Sequence, residues 1–395
     1  MRGTIDEMDI RLKAEYERRI QNTRLEAAKR GFEALIIVGL APRRVGDLMY
    51  LCGHQPMLPG HPRRFGFRGR GCSAILLPIV GDPVLLTTTP FYERDLYIQD
   101  VRYEDDLPAN IARTVTERGL ERADIGVVGM DVLAAALYGD LCRALPQVYF
   151  SGADDIVMNL RAAKSPYEIE RLARGAQVGD AVGELLRDYL RPGLTELQVY
   201  QFITQELSRR GVTGAFATCQ SGWRSETAYD LVPASPDKVL EDGDMVHMEI
   251  NGKLDGYMID ICRSTVIGRA KPEQLHILET ALEMLEQSVA AMKPGVIAED
   301  LEQISGRIAL AHGFLNNHTR TFHGPATYLG HAIGLGVDEP PVLARGDQTI
   351  LTPGMVITVE PGLYQTGFGG CRIEDEVLVT ETGTQVLNTC ARRWW

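Results

Sequence analysis

The segment 244-DMVHMEINGKLDGYMIDICRS-264 decides how the rest of the chain is read. It reads as two long strands, about 244–251 and 256–267, forming an antiparallel hairpin whose first strand runs to Glu249 and turns through Asn251-Gly252. The chain then returns along Tyr257–Asp260, which sets Glu249 and Asp260 opposite each other. Facing residues on such a pair have Cβ atoms about 4.5–5.5 Å apart. Two carboxylates at that separation repel unless a cation or a proton lies between them. The hairpin is therefore a candidate cation site.

Two later segments supply further donors: 330-GHAIGLGVDEPP-341 and 356-VITVEPGLYQTGFGGCRIEDEVLV-379. Glu360 ends one apolar strand and Glu374 begins another around a Gly-rich turn. Val356, Thr358 and Glu360 share one strand face, and Arg372, Glu374 and Glu376 share another. His331 follows Gly330 in a stretch where the backbone can approach a ligand closely. Four carboxylates and one imidazole form a hard-to-borderline ligand set that suits Mn, Fe, Co or Zn. Four negative charges offset two divalent cations, which bridging carboxylates hold about 3.5–4 Å apart. The alternative is that each acidic residue is a solvated strand end.

Working outward, a short stretch upstream of these segments places the domain boundary. In 159-NLRAAKSPYEIE-170, Ser165 is a helix N-cap, Pro166 fits the first helical position and Glu168 completes a capping box. The boundary falls just before this helix, giving domains 1–160 and 161–395. Upstream, a charged helix over 8–31 leads into the apolar run Ala34–Val38, with further strands at Cys72–Leu77, Val84–Thr89 and Ile125–Val128. Alternating helices and strands predict an α/β first domain. Downstream, helices at about 166–190, 195–210, 272–292 and 297–312 are grouped with long strands, which predicts α+β.

Composition narrows the class. The chain has 395 residues and a net charge of −12, which argues against a nucleic-acid partner. No stretch reaches the roughly 18 apolar residues of a membrane span. The charged N-terminus is neither signal nor transit peptide. Seven dispersed cysteines without a CxxC pair predict free thiols in a reducing, cytoplasmic setting.

The motifs GHAIGL, VEPGLY and GGCRIEDEVLVT, in this order behind the hairpin and the linker LRAAKSPYEIERLARGA, resemble those of the creatinase/prolidase/aminopeptidase P family (M24). The resemblance implies a creatinase-type N-terminal domain and a pita-bread catalytic domain. It also implies Glu249, Asp260, His331, Glu360 and Glu374 as ligands of one or two divalent transition-metal ions, and a homodimer in which N-domain loops reach the partner's site.

The sequence departs from that pattern in its details. Glu249 stands where the family usually has Asp, so a mononuclear site becomes an alternative to a dinuclear one. A histidine expected before the hairpin is replaced by Leu231 or Val232, and one expected after the metal histidine by Asp338. Asp338 either handles a proton or caps a turn before Pro340-Pro341. His323, eight residues before His331, is the candidate substitute histidine. His247 shares a strand face with Glu249, as a partner of the site or as a core residue. The creatine-hydrolysing branch replaces the last glutamate ligand, whereas this chain keeps Glu374.

For a substrate carboxylate, arginine forks are the natural partners. The loop 61-HPRRFGFRGR-70 offers Arg68 and Arg70 beside Phe65, and Arg345 and Trp223 are further candidates. The expected activity is hydrolysis of a C–N bond in a small carboxylate-bearing substrate, such as an Xaa-Pro dipeptide, with Glu360, Asp338 and His323 as catalytic candidates. A lyase or amidinohydrolase-like enzyme acting on a small zwitterion is the first alternative, and a non-catalytic binding protein the second.

Overall fold

The computed structural model describes residues 10–41, 44–56, 63–64, 67–88, 96–226, 232–314 and 328–395. The chain divides into two compact units, Met1–Arg161 and Ala162–Trp395.

The first unit is built on a six-stranded sheet. Its order is Asp100–Tyr103, Val84–Thr87, Cys72–Pro78, Ala34–Leu40, Asp124–Val128, Tyr149–Gly152. The run at Ala34–Leu40 is buried almost throughout because it lies mid-sheet with both faces covered. It pairs parallel with Asp124–Val128 but antiparallel with Cys72–Pro78. Cys72–Pro78 in turn pairs antiparallel with Val84–Thr87 across the Gly81-Asp82 turn. Such a short connection can join only antiparallel neighbours, so the sheet is mixed.

In the second unit, Ser165 Oγ accepts from Glu168 N at 3.3 Å while the Glu168 carboxylate accepts from Ser165 N at 3.1 Å. This capping box starts the helix Pro166–Tyr189. Thr195 and Gln198 repeat the device at the start of Glu196–Arg209. These two helices back a three-stranded sheet of Thr213–Ser221, Met245–Leu254 and Tyr257–Val266. Met248, Ile250, Ile259 and Ile261 pack with Val182, Leu186, Val199 and Ile203 in one core. A second pair, Pro272–Ala291 and Ala298–Ala311, backs a five-stranded sheet through Ile357, Val359, Val377 and Val379. Strand side chains alternate in direction. Glu249, Asn251, Asp260 and Cys262 therefore take the face turned away from the first helix pair, and Thr358 and Glu376 the face turned away from the second.

The hairpin corrects the expected register. Its turn is Asp255-Gly256, with φ of 51° and 87°. A two-residue turn of this kind needs positive φ at both central positions, which Asp-Gly tolerates well. Leu254 then pairs with Tyr257, Asn251 with Asp260 and Glu249 with Cys262. Glu249 and Asp260 share a face but stand diagonally, not opposite. Gly252 has a different purpose from a turn: a Cβ there would lie 2.4 Å from Val212 Cγ1.

All seven cysteines are free thiols. Among the described residues, no helix is long and apolar enough to cross a membrane.

Candidate metal centre

Asp260 comes from the strand Tyr257–Val266 and His331 from the strand Tyr328–Ala332. Glu374 lies in the link between Gly369–Arg372 and Asp375–Val379. One ligand atom from each of these three buried residues lies within 4.8 Å of the others. The backbone fixes all three. Glu374 N donates to Cys262 O at 3.0 Å, tying the link to the hairpin. His331 N donates to Thr358 Oγ1 at 3.2 Å, and Asp260 N to Glu376 Oε1 at 2.9 Å.

The imidazole is oriented as a ligand. Nδ1 lies 3.0 Å from the Ala332 carbonyl, which can only accept, so the proton belongs there. Nε2 then faces carboxylates: Asp338 Oδ1 at 3.2 Å, Glu360 Oε1 at 3.4 Å and Asp260 Oδ2 at 3.5 Å. Glu360 follows the strand Val356–Val359, and its N donates to Leu329 O at 2.7 Å.

This crowding has an electrostatic cost. Burial pushes the Asp260 carboxyl well above the usual carboxylate range, and the charges of Glu374, Glu360, Glu376 and Asp338 push it further. Glu376 is raised in the same sense, chiefly by burial, with Glu374 among its neighbours and the Asp260 N–H opposing. Buried like charges of this kind are relieved by a cation. The donor set, two carboxylates and an imidazole with Glu360 beside them, fits a divalent transition metal.

Glu249 is held differently. The Arg372 guanidinium makes an ion pair with Glu249 Oε1, and its Nε lies 3.4 Å from Glu360 Oε2. Asn251 Nδ2 donates to the other Glu249 oxygen at 3.4 Å. Asp338 sits at φ 55° and also accepts from Tyr328 Oη at 3.0 Å. Its loop is secured by the next residue, since Glu339 Oε1 accepts from Gly336 N at 2.6 Å and Oε2 pairs with buried Lys164 at 3.5 Å.

The substrate-side candidates have the following surroundings. Arg68 is committed to Asp106, at 2.7 Å, and to Asp140, so its guanidinium serves the first unit's own structure. Arg345 is exposed on the turn after Glu339–Ala344. Trp223 is 68% exposed, with the Arg224 guanidinium over its ring at 5.8 Å, and Arg224 Nε is held by Glu196 Oε2 at 2.9 Å. Arg70 is half-buried. His247 is fully buried and meets the Tyr364 ring edge-on at 6.1 Å. His323, Phe65 and Leu231 lie outside the described residues, whereas Val232 is described. Arg372, Tyr328 and Lys164 escaped the sequence reading as site residues, although Arg372 alternates with Glu374 in the quoted segment.

The family model for metallopeptidase family M24 matches residues 170–381, a span that contains the whole cluster. The chain belongs to metallopeptidase family M24. This M24 chain is 29% identical over 324 residues to an Xaa-Pro dipeptidase of Pyrococcus horikoshii, covering 80% of this chain and 88% of that one. It is 33% identical over 245 residues to an Xaa-Pro dipeptidase of Pyrococcus furiosus, covering 62% and 68%. The solved structure of an Xaa-Pro dipeptidase from Bacillus anthracis matches with a TM-score of 0.81 at 25% identity, over 96% of this chain and 99% of that one. The second unit thus has the pita-bread fold, and the chain is an M24 metallohydrolase.

Proposed function

We propose that this M24 enzyme hydrolyses the amide bond of a small substrate bearing a carboxylate, with Xaa-Pro dipeptides as the leading class. The observation that carries the reading is the buried convergence of Asp260, His331 and Glu374 within 4.8 Å. The Xaa-Pro dipeptidase relatives support the substrate class. A divalent metal held by these three residues would supply Lewis acidity toward the scissile carbonyl and toward water. Glu360, 3.4 Å from His331, is placed to take a proton from attacking water, and Asp338 to pass one toward the leaving amine. Burial excludes bulk water from the carboxylates, so the charges around the reacting centre act in a medium of low polarity.

The test is direct. Protein purified without chelator is analysed for bound metal and assayed on Xaa-Pro dipeptides against matched dipeptides lacking proline. His331→Ala should lose both the metal and the turnover. Metal-free wild-type protein, or full turnover by His331→Ala, overturns the reading. Turnover confined to other amides overturns the substrate class alone.

A further inference from the structure

We infer that Tyr328 is a positioning residue: its hydroxyl fixes the Asp338 carboxylate beside the metal centre, in the place from which Asp338 serves the leaving amine. The inference rests on the proposed proton transfer by Asp338.

Tyr328 and His331 are three residues apart on one strand, and side chains three apart on a regular strand point to opposite faces. This strand is not regular. Tyr328 pairs with Ala344 and His331 with Val342, so three steps along Tyr328–Ala332 match two along Glu339–Ala344. The extra residue is a β-bulge, a device that re-aims side chains and recurs beside active sites. It brings both rings onto one face, where their centroids lie 5.9 Å apart with 27° between the planes. The half-buried tyrosine ring thus lies against the imidazole, and its hydroxyl donates to Asp338 Oδ1 at 3.0 Å.

Asp338 needs such a partner. Its side chain is 62% exposed, and an exposed carboxylate is free to sample several rotamers. The same Oδ1 lies 3.2 Å from His331 Nε2, but that nitrogen is turned to the metal's place. Once Nε2 serves as a ligand it has no proton for Asp338. Among the described residues, the Tyr328 hydroxyl is the remaining donor on this carboxylate. A hydrogen bond to an ionised acceptor is roughly twice as strong as one between neutral groups, enough to select one rotamer. It engages Oδ1 and leaves Oδ2, which meets no donor among the described residues, for the substrate's amine. The loop backbone is held separately, by Glu339 on Gly336 N and on Lys164. Loss of the hydroxyl therefore frees the side chain without loosening the loop.

The experiment uses the full chain loaded with Mn²⁺, as wild type, Tyr328→Phe, Asp338→Gly and the double variant. Phenylalanine keeps the ring and lacks the hydroxyl. In crystals, Asp338 should lie within hydrogen-bond reach of the Tyr328 hydroxyl in wild type and turn away from His331 in Tyr328→Phe. On an Xaa-Pro dipeptide, Tyr328→Phe should lower kcat about 10–100-fold while KM and Mn²⁺ affinity move less than about 3-fold, the pattern of a lost transition-state interaction. In the Asp338→Gly background, Tyr328→Phe should cost nothing further, because the hydroxyl then has no carboxylate to place. A merely structural tyrosine would lower turnover equally in both backgrounds. That equal loss, a wild-type kcat in Tyr328→Phe, or an Asp338 that stays in place there overturns the inference and leaves the metal-centre reading intact. An Asp338 out of reach of the hydroxyl in wild type overturns it without any variant. Should wild type cleave no Xaa-Pro dipeptide, the substrate class falls, and the two crystal structures alone decide whether Tyr328 holds Asp338.

Discussion

Asp338 holds a left-handed backbone, φ 55°, while its carboxylate reaches His331 and Tyr328. Glycine accepts that backbone without strain. Asp338→Gly therefore removes the carboxylate and leaves the loop intact, which makes it a cleaner probe than alanine. A positioned proton-transfer group contributes about 10²–10⁴-fold. We expect kcat/KM on an Xaa-Pro dipeptide to fall at least about 10²-fold with bound metal retained; an unchanged value removes Asp338 from the chemistry. His54 gives a second prediction at this scale. It is buried, lies 2.9 Å from Ser73 Oγ, and burial lowers its pKa from 6.5 to about 4. The unfolded state takes up a proton below about pH 6.5 while the folded state resists until about 4. His54 thus favours the folded state fully above that window and progressively less as pH falls through it. Melting temperatures of wild type should drop more steeply than those of His54→Gln between these limits, and parallel curves would refute the assignment. Asp260, His331, Glu360 and Glu374 were legible in the sequence because each sits at a fixed place in a short motif. The pairing of Arg68 was not legible, because Asp106 and Asp140 lie 38 and 72 residues downstream, where no local pattern reveals them.

At the scale of elements, two local devices position the site. The first is Gly330, where a Cβ would come 1.9 Å from Thr358 O. Neither backbone can yield, so the strand bearing His331 can lie beside Val356–Val359 only with glycine there. Gly330→Ala should push the strands apart, destabilise the fold by about 1–3 kcal/mol or more, and weaken metal binding at least 10-fold. Denaturant unfolding and Mn²⁺ titration check both effects, and wild-type values for both would show that the strand has another way to relax. The second device is the Ser165 capping box, whose loss in Ser165→Ala should cost about 1 kcal/mol without touching metal affinity. The capping boxes and helix spans were readable because their signals are local. The hairpin turn was readable too, but the competing Asn251-Gly252 pair drew the turn four residues early. What separates the two pairs is the packing of Gly252 against Val212, just ahead of the strand Thr213–Ser221, a long-range contact that composition does not encode.

At the scale of the whole molecule, the boundary between units is announced by one capped helix, whereas the order of strands in the first unit's sheet depends on pairings between distant segments. The net charge of −12 takes on local meaning here, because a share of it is buried at one point. The folded chain keeps Asp260, Glu360 and Glu374 together out of water, whereas the unfolded chain disperses them. A divalent ion therefore binds the folded state selectively and stabilises it by mass action. At a free concentration of 100 times Kd that stabilisation is about 2.7 kcal/mol. For a unit of this size each kcal/mol raises the melting temperature by roughly 2–4 °C. Chelation should accordingly lower the transition of the second unit by roughly 5–10 °C, and added Mn²⁺ should restore it. The acid-sensitive slope from His54 belongs to the first unit and should persist unchanged in the chelated protein, because that histidine contributes nothing to the metal centre. Calorimetry across pH with and without chelator separates the two effects, and a melting temperature indifferent to chelation would mean that the acidic cluster is stable without a cation.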